Sequence, residues 1–381
     1  MKNFLISAIL LSIITTTAYS QNTLRDFGIK IGVMKTGKFN AITDVPGVKV
    51  GHKTIIEGDN IRTGVTAIIP HDGNLFRKKV PAAIFIGNGF GKLAGFTQVK
   101  ELGNIETPVI LTNTMSVAAA LDALITYTLA QKGNETIGSV NGIVGETNDG
   151  GLNDIRARVV KPEDVLEAIN SAKSGIVEQG GIGAGTGTIC FGFKGGIGTS
   201  SRVLPKSLGG YTVGVLVQTN YGGILEVAGV PAGQMLSNYS YRNNIMQDVD
   251  GSCMIVVITD APLTSRNLER VAKRAFMGLA KSGGIASNGS GDYIIAISVA
   301  KENILDESTP FYEPKELQND AVSPVFMATI EATEEALINS LVAAKTMKGY
   351  KGKVVEELPK EIIKRIATSV NFGNHSVKII P

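Results

Sequence analysis

Cysteine and histidine are scarce in this chain, at 2 and 3 of 381 residues. Cys190 and Cys253 form no CxxC pair and no zinc spacing. Each lies in an apolar, strand-like run and reads as a small buried hydrophobe, with a single disulfide left open. His52, His71 and His375 have no metal-ligand spacing, and a Ser-His-Asp triad would need one of them to approach a nucleophile from far along the chain. No GxSxG elbow is present. Neither a metal nor an organic cofactor is implied. Charge of one sign is also lacking: 37 Lys and Arg face 34 Asp and Glu. No basic stripe of the kind nucleic acid requires stands out. Beyond the first twenty residues no run is long and apolar enough to span a bilayer. No repeat and no Pro/Ser-rich linker divides the chain, so its length allows one to three domains.

What is present begins with a secretory signal by pattern. Lys2 supplies the positive start, Phe4 to Ile14 the apolar run, and Ala18-Tyr19-Ser20 the small-x-small cleavage site. The expected mature chain starts at Gln21, in a secreted or periplasmic location. No cysteine follows the apolar run, so no lipid anchor is expected. The whole chain is 43% hydrophobic, enough for a large core, and holds 45 glycines, a share well above the average of roughly 7%. Without a period, that glycine points to tight turns and close backbone approach.

Short apolar runs predict strands at Ala41 to Val50, Thr66 to Pro70, Ala82 to Ile86, Pro108 to Thr112, Thr188 to Phe193, Thr212 to Gln218, Cys253 to Thr259 and Tyr293 to Val299. Helical periodicity predicts helices at Ser116 to Gln131, with Leu121, Leu124, Ile125 and Thr128 on one face, and at Glu163 to Lys173 after Pro162. It predicts others at Ser265 to Lys281, from Ser323 as cap to about Lys348, and after Pro359. Helices do not follow each strand in turn, which favours an α+β layered fold over a doubly wound sheet. The polar stretch Ser237 to Asp250 is the best breakpoint, giving pieces 21–251 and 252–381. Both carry apolar strands, so a shared core is expected.

The chemistry gathers at that breakpoint. Gly251-Ser252 lies where a polar loop enters the apolar run Cys253 to Ile258. A serine next to the residue with no side chain suits a chain that cuts itself and uses the new amino-terminal hydroxyl. The loop Ser287-Asn288-Gly289-Ser290-Gly291-Asp292 precedes a second apolar strand. If the two strands are neighbours, Ser290 and Asp292 reach the same sheet end as Ser252; the plain alternative is an Asn-Gly turn. Glu146 and Asn220 each end an apolar run. A carboxylate there can hold an ammonium, and an amide can donate to an oxyanion; either can also be a turn or cap residue. Gly181 to Gly187 lacks the strand and helix of a dinucleotide loop. Ser298-Val299-Ala300-Lys301 matches SxxK only by four residues at a strand end.

Taken together, the chain resembles the self-processing aminopeptidases that include the L-aminopeptidase/D-esterases and the β-aminopeptidases. The resemblance spans nearly the whole mature chain. It runs through Asn40 to His52, Gly87 to Lys92, Leu111 to Thr114, Gly145-Glu146-Thr147 and Gln218 to Gly222. It continues through Gly251-Ser252, Thr259 to Leu263 and Ser287 to Asp292. It implies a four-layer αββα sandwich of the N-terminal-nucleophile type, cleaved at Gly251 and often assembled as a tetramer. By that resemblance Ser252 is the nucleophile, Asn220 forms part of the oxyanion hole, and Glu146 binds the substrate's amino group. Ser290 and Asp292 match a supporting hydroxyl and carboxylate, where some relatives have Glu in place of Asp292. Asn148 stands where some relatives carry an aromatic beside the substrate, so side-chain preference is left open. His52 falls in the amino-terminal motif and reads as structural.

The expected activity is release of amino-terminal residues from short peptides, amino acid amides or esters. L, D or β configuration is undetermined, as is the principal base. Two rivals stand beside it: an acyltransferase resembling the ornithine acetyltransferases, which self-cleave with threonine, and a non-catalytic periplasmic binding protein on the same scaffold.

Overall fold

The computed structural model describes residues 22–240, 251–306 and 308–376. The expected leader lies outside them, as do residues 241–250 of the polar breakpoint. Strands are β1 (Lys49–Glu57), β2 (Ile61–Ile69), β3 (Lys78–Gly89), β4 (Asn104–Ile105), β5 (Val109–Asn113), β6 (Ile143–Thr147), β7 (Ile189–Cys190) and β8 (Phe193–Lys194). Then come β9 (Ile197–Val203), β10 (Thr212–Asn220), β11 (Gly251–Thr259), β12 (Ser290–Ser298), β13 (Leu305–Asp306), β14 (Met347–Lys348) and β15 (Val354–Val355). Helices are α1 (Phe96–Leu102), α2 (Val117–Leu129), α3 (Pro162–Asn170), α4 (Ala232–Met235), α5 (Ser265–Lys281), α6 (Ser323–Ala343) and α7 (Lys360–Ser376).

Two sheets carry the fold. The smaller has the order β1-β2-β5-β6; the larger has β13-β3-β12-β11-β10-β9, with β4 paired to β3. Most neighbours are antiparallel. The exceptions are β5-β6 and β11-β12, each joined by a helical crossover, α2 or α5.

Alternation along the strands builds the layers. Leu216, Met254, Val256, Ile258, Tyr293, Ile295 and Ile297 face the other sheet and meet Val50, Ile68, Val109, Leu111 and Ile143. The intervening residues Val213, Val215, Val217, Cys253, Ile255, Val257, Ile294 and Ala296 face α5, α6 and α7. On the far side, Val65, Ala67, Ile110 and Val144 pack under α2 and α3. The result is the expected αββα sandwich. Its three apolar layers are continuous, and each buried Val, Leu or Ile contributes about 1.5–3 kcal/mol.

Residues on either side of the breakpoint share this core. β11 opens the second expected piece and pairs with β10 from Val213↔Thr259 to Asn220↔Ser252. Polar groups add a further tie. Arg202 of β9 is fully buried and bonds Glu331 at 3.0 Å and Glu335 at 2.7 Å, both on α6.

Several expectations need correction. Ala41 to Val50 is not one strand: Ile42–Asp44 form a 3₁₀ turn, held by Asp44 accepting from the Ala41 N–H, and the strand starts at Lys49. Thr188 to Phe193 breaks into β7 and β8, because Phe191 (φ 51) and Gly192 (φ 79) turn the chain through the left-handed region. α2 is rotated from the expected face: Val117, Ala120, Ala123, Leu124 and Thr128 are buried, while Ile125 is exposed. Ser323 does not cap α6, since the turn Asn319–Val322 already leads into it. α6 stops at Ala343, and Met347–Lys348 pair in a hairpin instead. β9 was not anticipated at all.

Candidate active site

β10 and β11 run antiparallel, so the last residue of one faces the second residue of the other: Asn220↔Ser252. By alternation both side chains share the inter-sheet face of Leu216 and Met254. Ser252 is buried, and its hydroxyl makes no hydrogen bond among the described residues. The Asn220 amide is oriented: its Oδ1 accepts from the Ile189 N–H at 3.0 Å. That leaves the Nδ2 hydrogens as its available donors.

Gly251 sits just before the nucleophile candidate. A Cβ there would lie 3.1 Å from Tyr221 Cα and 3.2 Å from Tyr221 Cβ. Glycine relieves that crowding at the bond the sequence singles out. Tyr221 itself is fixed by a 2.9 Å bond between its hydroxyl and Ser282, and by edge packing on Phe191 at 5.0 Å.

Ser290 and Asp292 do reach the same sheet end. β12 lies parallel to β11, with Gly251↔Ser290 and Cys253↔Asp292 in register. Ser290 Oγ donates to Asp292 Oδ1 at 2.9 Å. Burial pushes the Asp292 carboxyl up to about 6, and the bonds from Ser290 and the Cys253 N–H hold it from going higher. Neither side chain is hydrogen-bonded to the Ser252 hydroxyl. The alternation explains this: Ser290 and Asp292 share the parity of Ile294 and face the helices, whereas Ser252 faces the other sheet.

Glu146 comes from the smaller sheet, one residue before the end of β6. Its Oε2 accepts from the Thr114 hydroxyl, and its Oε1 from the Lys92 N–H at 3.2 Å. Lys92 Nζ lies 3.3 Å from the same Oε1. Asn148 follows on the loop, where its Oδ1 accepts from Gly150 N–H at 2.9 Å. Beneath the site Gln218 ties the two sheets, donating to Thr112 O, Ala184 O and Thr147 Oγ1.

These groups surround one cavity of about 600 Å³, of the size that takes a small organic ligand. Glu146, Asn148, Asn220, Gly251 and Ser252 line it; Ser290 and Asp292 stand behind it. Phe90, Ile189, Phe191, Tyr221 and Tyr239 supply apolar wall. The sequence reading missed Thr114, Lys92, Ile189 and Lys353. Thr114 and Lys92 lay in motifs already singled out, and Ile189 in a predicted strand, without a role being assigned to them; Lys353 carried no signal.

Under the β7-β8 turn, Lys194 is fully buried and donates to the carbonyls of Gly185, Thr188 and Gly195 at 2.7–3.0 Å. Burial pulls its pKa down to about 7, while three acceptors that cannot donate favour the charged form. By anchoring Thr188 it steadies Ile189, and through Ile189 the Asn220 amide.

Other candidates are structural. His52 is half-buried and lies 3.0 Å from the Thr66 hydroxyl, and desolvation with Lys173 nearby lowers its pKa to about 4. Ser298 donates to the Ala261 carbonyl. Cys190 and Cys253 are free and buried, and burial raises both thiols. Among the described residues no group of three or more His, Cys, Asp or Glu could hold a metal, and no helix is long and apolar enough to cross a membrane.

Residues 40–355 match the model of peptidase family S58. The chain is 39% identical over 363 residues to the beta-peptidyl aminopeptidase BapA of Sphingosinicella microcystinivorans, covering 90% of this chain and 91% of that one. A Burkholderia beta-aminopeptidase superposes with a TM-score of 0.84 at 39% identity, covering 92% of this chain and 99% of its own. An Ochrobactrum anthropi structure does so with a TM-score of 0.83 at 34% identity and the same coverage; it is described as an L-aminopeptidase D-Ala-esterase/amidase, a prototype serine aminopeptidase and a variant of the Ntn hydrolase fold.

Proposed function

Because this chain belongs to peptidase family S58, we propose that it is a secreted or periplasmic aminopeptidase that activates itself by cutting between Gly251 and Ser252. Its substrates are short peptides, amino acid amides or esters. The observation that carries this reading is the pairing of Asn220 with Ser252 across β10 and β11, at the wall of a cavity that also holds Glu146.

In the uncut chain the Ser252 hydroxyl attacks the Gly251 carbonyl and forms an ester, which water hydrolyses. Nucleophile and target are covalently adjacent, so no encounter is needed. Two pieces result, 21–251 and 252–381, held together by the core they share. Cutting also changes what Ser252 can reach. As an interior strand residue its orientation is set by both neighbours. As a chain end its α-amine is free to turn toward the Ser290–Asp292 pair on the opposite face.

That amine has an ordinary pKa of roughly 7.7–8.0 and can take the hydroxyl proton near neutral pH. Asp292 and Ser290 accept from it and keep it placed. On substrate, Ser252 Oγ attacks the scissile carbonyl, Asn220 Nδ2 donates to the oxyanion, and the acyl-enzyme is hydrolysed. Glu146, already held by Thr114, takes the substrate ammonium. Lys92 must yield part of that carboxylate, which its half-exposed, flexible side chain allows.

Two measurements test this. Acetylating the amino group of an otherwise good amino acid amide is expected to lower kcat/KM at least about 100-fold, because a buried carboxylate loses its charged partner. Equal turnover of both forms would remove Glu146 from the role. Secondly, beneath the fall expected as the α-amine is protonated below about pH 8, kcat/KM is expected to show a second limb, a further tenfold per pH unit, below about pH 6, where Asp292 takes up a proton. Asp292→Asn should abolish that limb. Asp149, also raised to about 6 by burial, does not line the cavity; Asp149→Asn should leave the limb in place. A limb that survives Asp292→Asn would assign it elsewhere.

A further inference from the structure

We propose that Lys353 is a specificity residue that holds a carboxylate of the substrate, so that the site favours peptides carrying a negative charge besides their free amino end. This rests on the peptidase reading above and adds a second charge contact to it.

Among the described residues, two charged side chains line the cavity, Glu146 and Lys353. The Glu146 charge is already met by Lys92 at 3.3 Å. Lys353 Nζ has no hydrogen bond or ion pair among the described residues. Among the described residues the wall therefore carries one uncompensated charge, and it is positive. A free di- or tripeptide has an ammonium at one end and a carboxylate at the other, which suits this pair of walls. An acidic side chain offers the same chemistry.

The lysine is held in place by a built structure. It sits in the turn between β14 and β15, where Lys351 (φ 56) and Gly352 (φ 73) are both left-handed. The turn is pinned to the loop after β6, where Tyr350 N–H donates to Leu152 O at 2.7 Å, and to β2, from which Arg62 Nε donates to Lys348 O at 2.8 Å. Contact is so close that a Cβ on Gly349 would lie 2.1 Å from Leu152 O. From there Nζ reaches over Gly151, 3.6 Å from where a Cβ would stand; the same point is 2.7 Å from Ile189 Cδ1. Ile189 is the residue whose N–H orients Asn220. The ammonium thus lies on the Asn220 side of the cavity, within reach of a short substrate whose carbonyl is at Ser252.

The test compares matched substrates on the matured wild type, Lys353→Met and Lys353→Glu. One pair is Ala-Ala and Ala-Ala amide; the other is the p-nitroanilides of Asp and Asn. In the wild type the carboxylate-bearing member of at least one pair is expected to lead by about 3- to 10-fold in kcat/KM. That lead should shrink to about 1 in Lys353→Met and reverse in Lys353→Glu, with kcat/KM on the neutral member unchanged within about twofold. A response in the first pair assigns the contact to the main-chain carboxylate; a response in the second assigns it to an acidic side chain. Ratios identical in all three proteins overturn the assignment while leaving the peptidase reading intact. A wild type that hydrolyses none of the four substrates overturns the peptidase reading, and the assignment with it.

Discussion

Ser252→Ala is expected to give one uncut band on a denaturing gel and to lower amide hydrolysis by roughly 10⁴-fold or more, the scale seen when a catalytic nucleophile is removed. The two effects have one cause. In the proposed mechanism the same hydroxyl opens the Gly251–Ser252 bond and then attacks substrate. Folding should be preserved, because the hydroxyl makes no hydrogen bond among the described residues whose loss would leave a partner stranded. Ser252→Cys separates the steps: a thiol can still attack the neighbouring carbonyl, so some cutting is expected with altered turnover. Should the alanine variant be cut at the same bond, the nucleophile lies elsewhere.

Asn220→Ala is expected to lower kcat by about 10²–10³ with little change in KM, the usual cost of one oxyanion donor. Alanine also removes the acceptor of the Ile189 N–H, so a loss of β7 geometry could mimic the effect. Asn220→Asp distinguishes them. Aspartate keeps an oxygen for Ile189 at 3.0 Å but offers no donor to the oxyanion. A comparable fall in kcat for the aspartate variant identifies the donor as the missing element. Near-normal kcat would make Asn220 a structural residue.

Much of this was legible in the sequence because apolar alternation and helix stripes report the core directly. Cys253 to Thr259 and Ser265 to Lys281 emerge almost residue for residue as β11 and α5. β9 escaped for a physical reason. Its sequence Gly198-Thr199-Ser200-Ser201-Arg202 reads as a polar turn, yet all five residues are buried. A Cβ on Gly198 would lie 2.0 Å from Ala336 O, so glycine there admits α6 close to the sheet. The polar residues find partners on α6 and in the amino-terminal segment, such as Asn40 for Ser200 and Ser201. Periodicity cannot reveal a buried strand whose side chains are satisfied by hydrogen bonds.

The site shows the same division. Gly251, Ser252, Asn220, Glu146, Ser290 and Asp292 were visible because glycine and polar residues at the ends of apolar runs stand out, and because their order along the chain is shared with a known group of enzymes. Which face each side chain takes was not visible. Ser290 and Asp292 reach the expected sheet end but turn toward the helices, a matter of strand parity that only register settles. The roles of Lys92 and Lys353 were invisible for another reason. A lone lysine in a loop is ordinary, and what distinguishes these two is the carboxylate that one meets and the other lacks.

The central claim is tested most directly by amino-terminal sequencing and intact mass of the purified wild-type protein under denaturing conditions. Two polypeptides are expected in equal amounts, one beginning at Ser252 and the other ending at Gly251. A single polypeptide running unbroken through residue 252 in a preparation that hydrolyses amino acid amides at full rate would contradict the account.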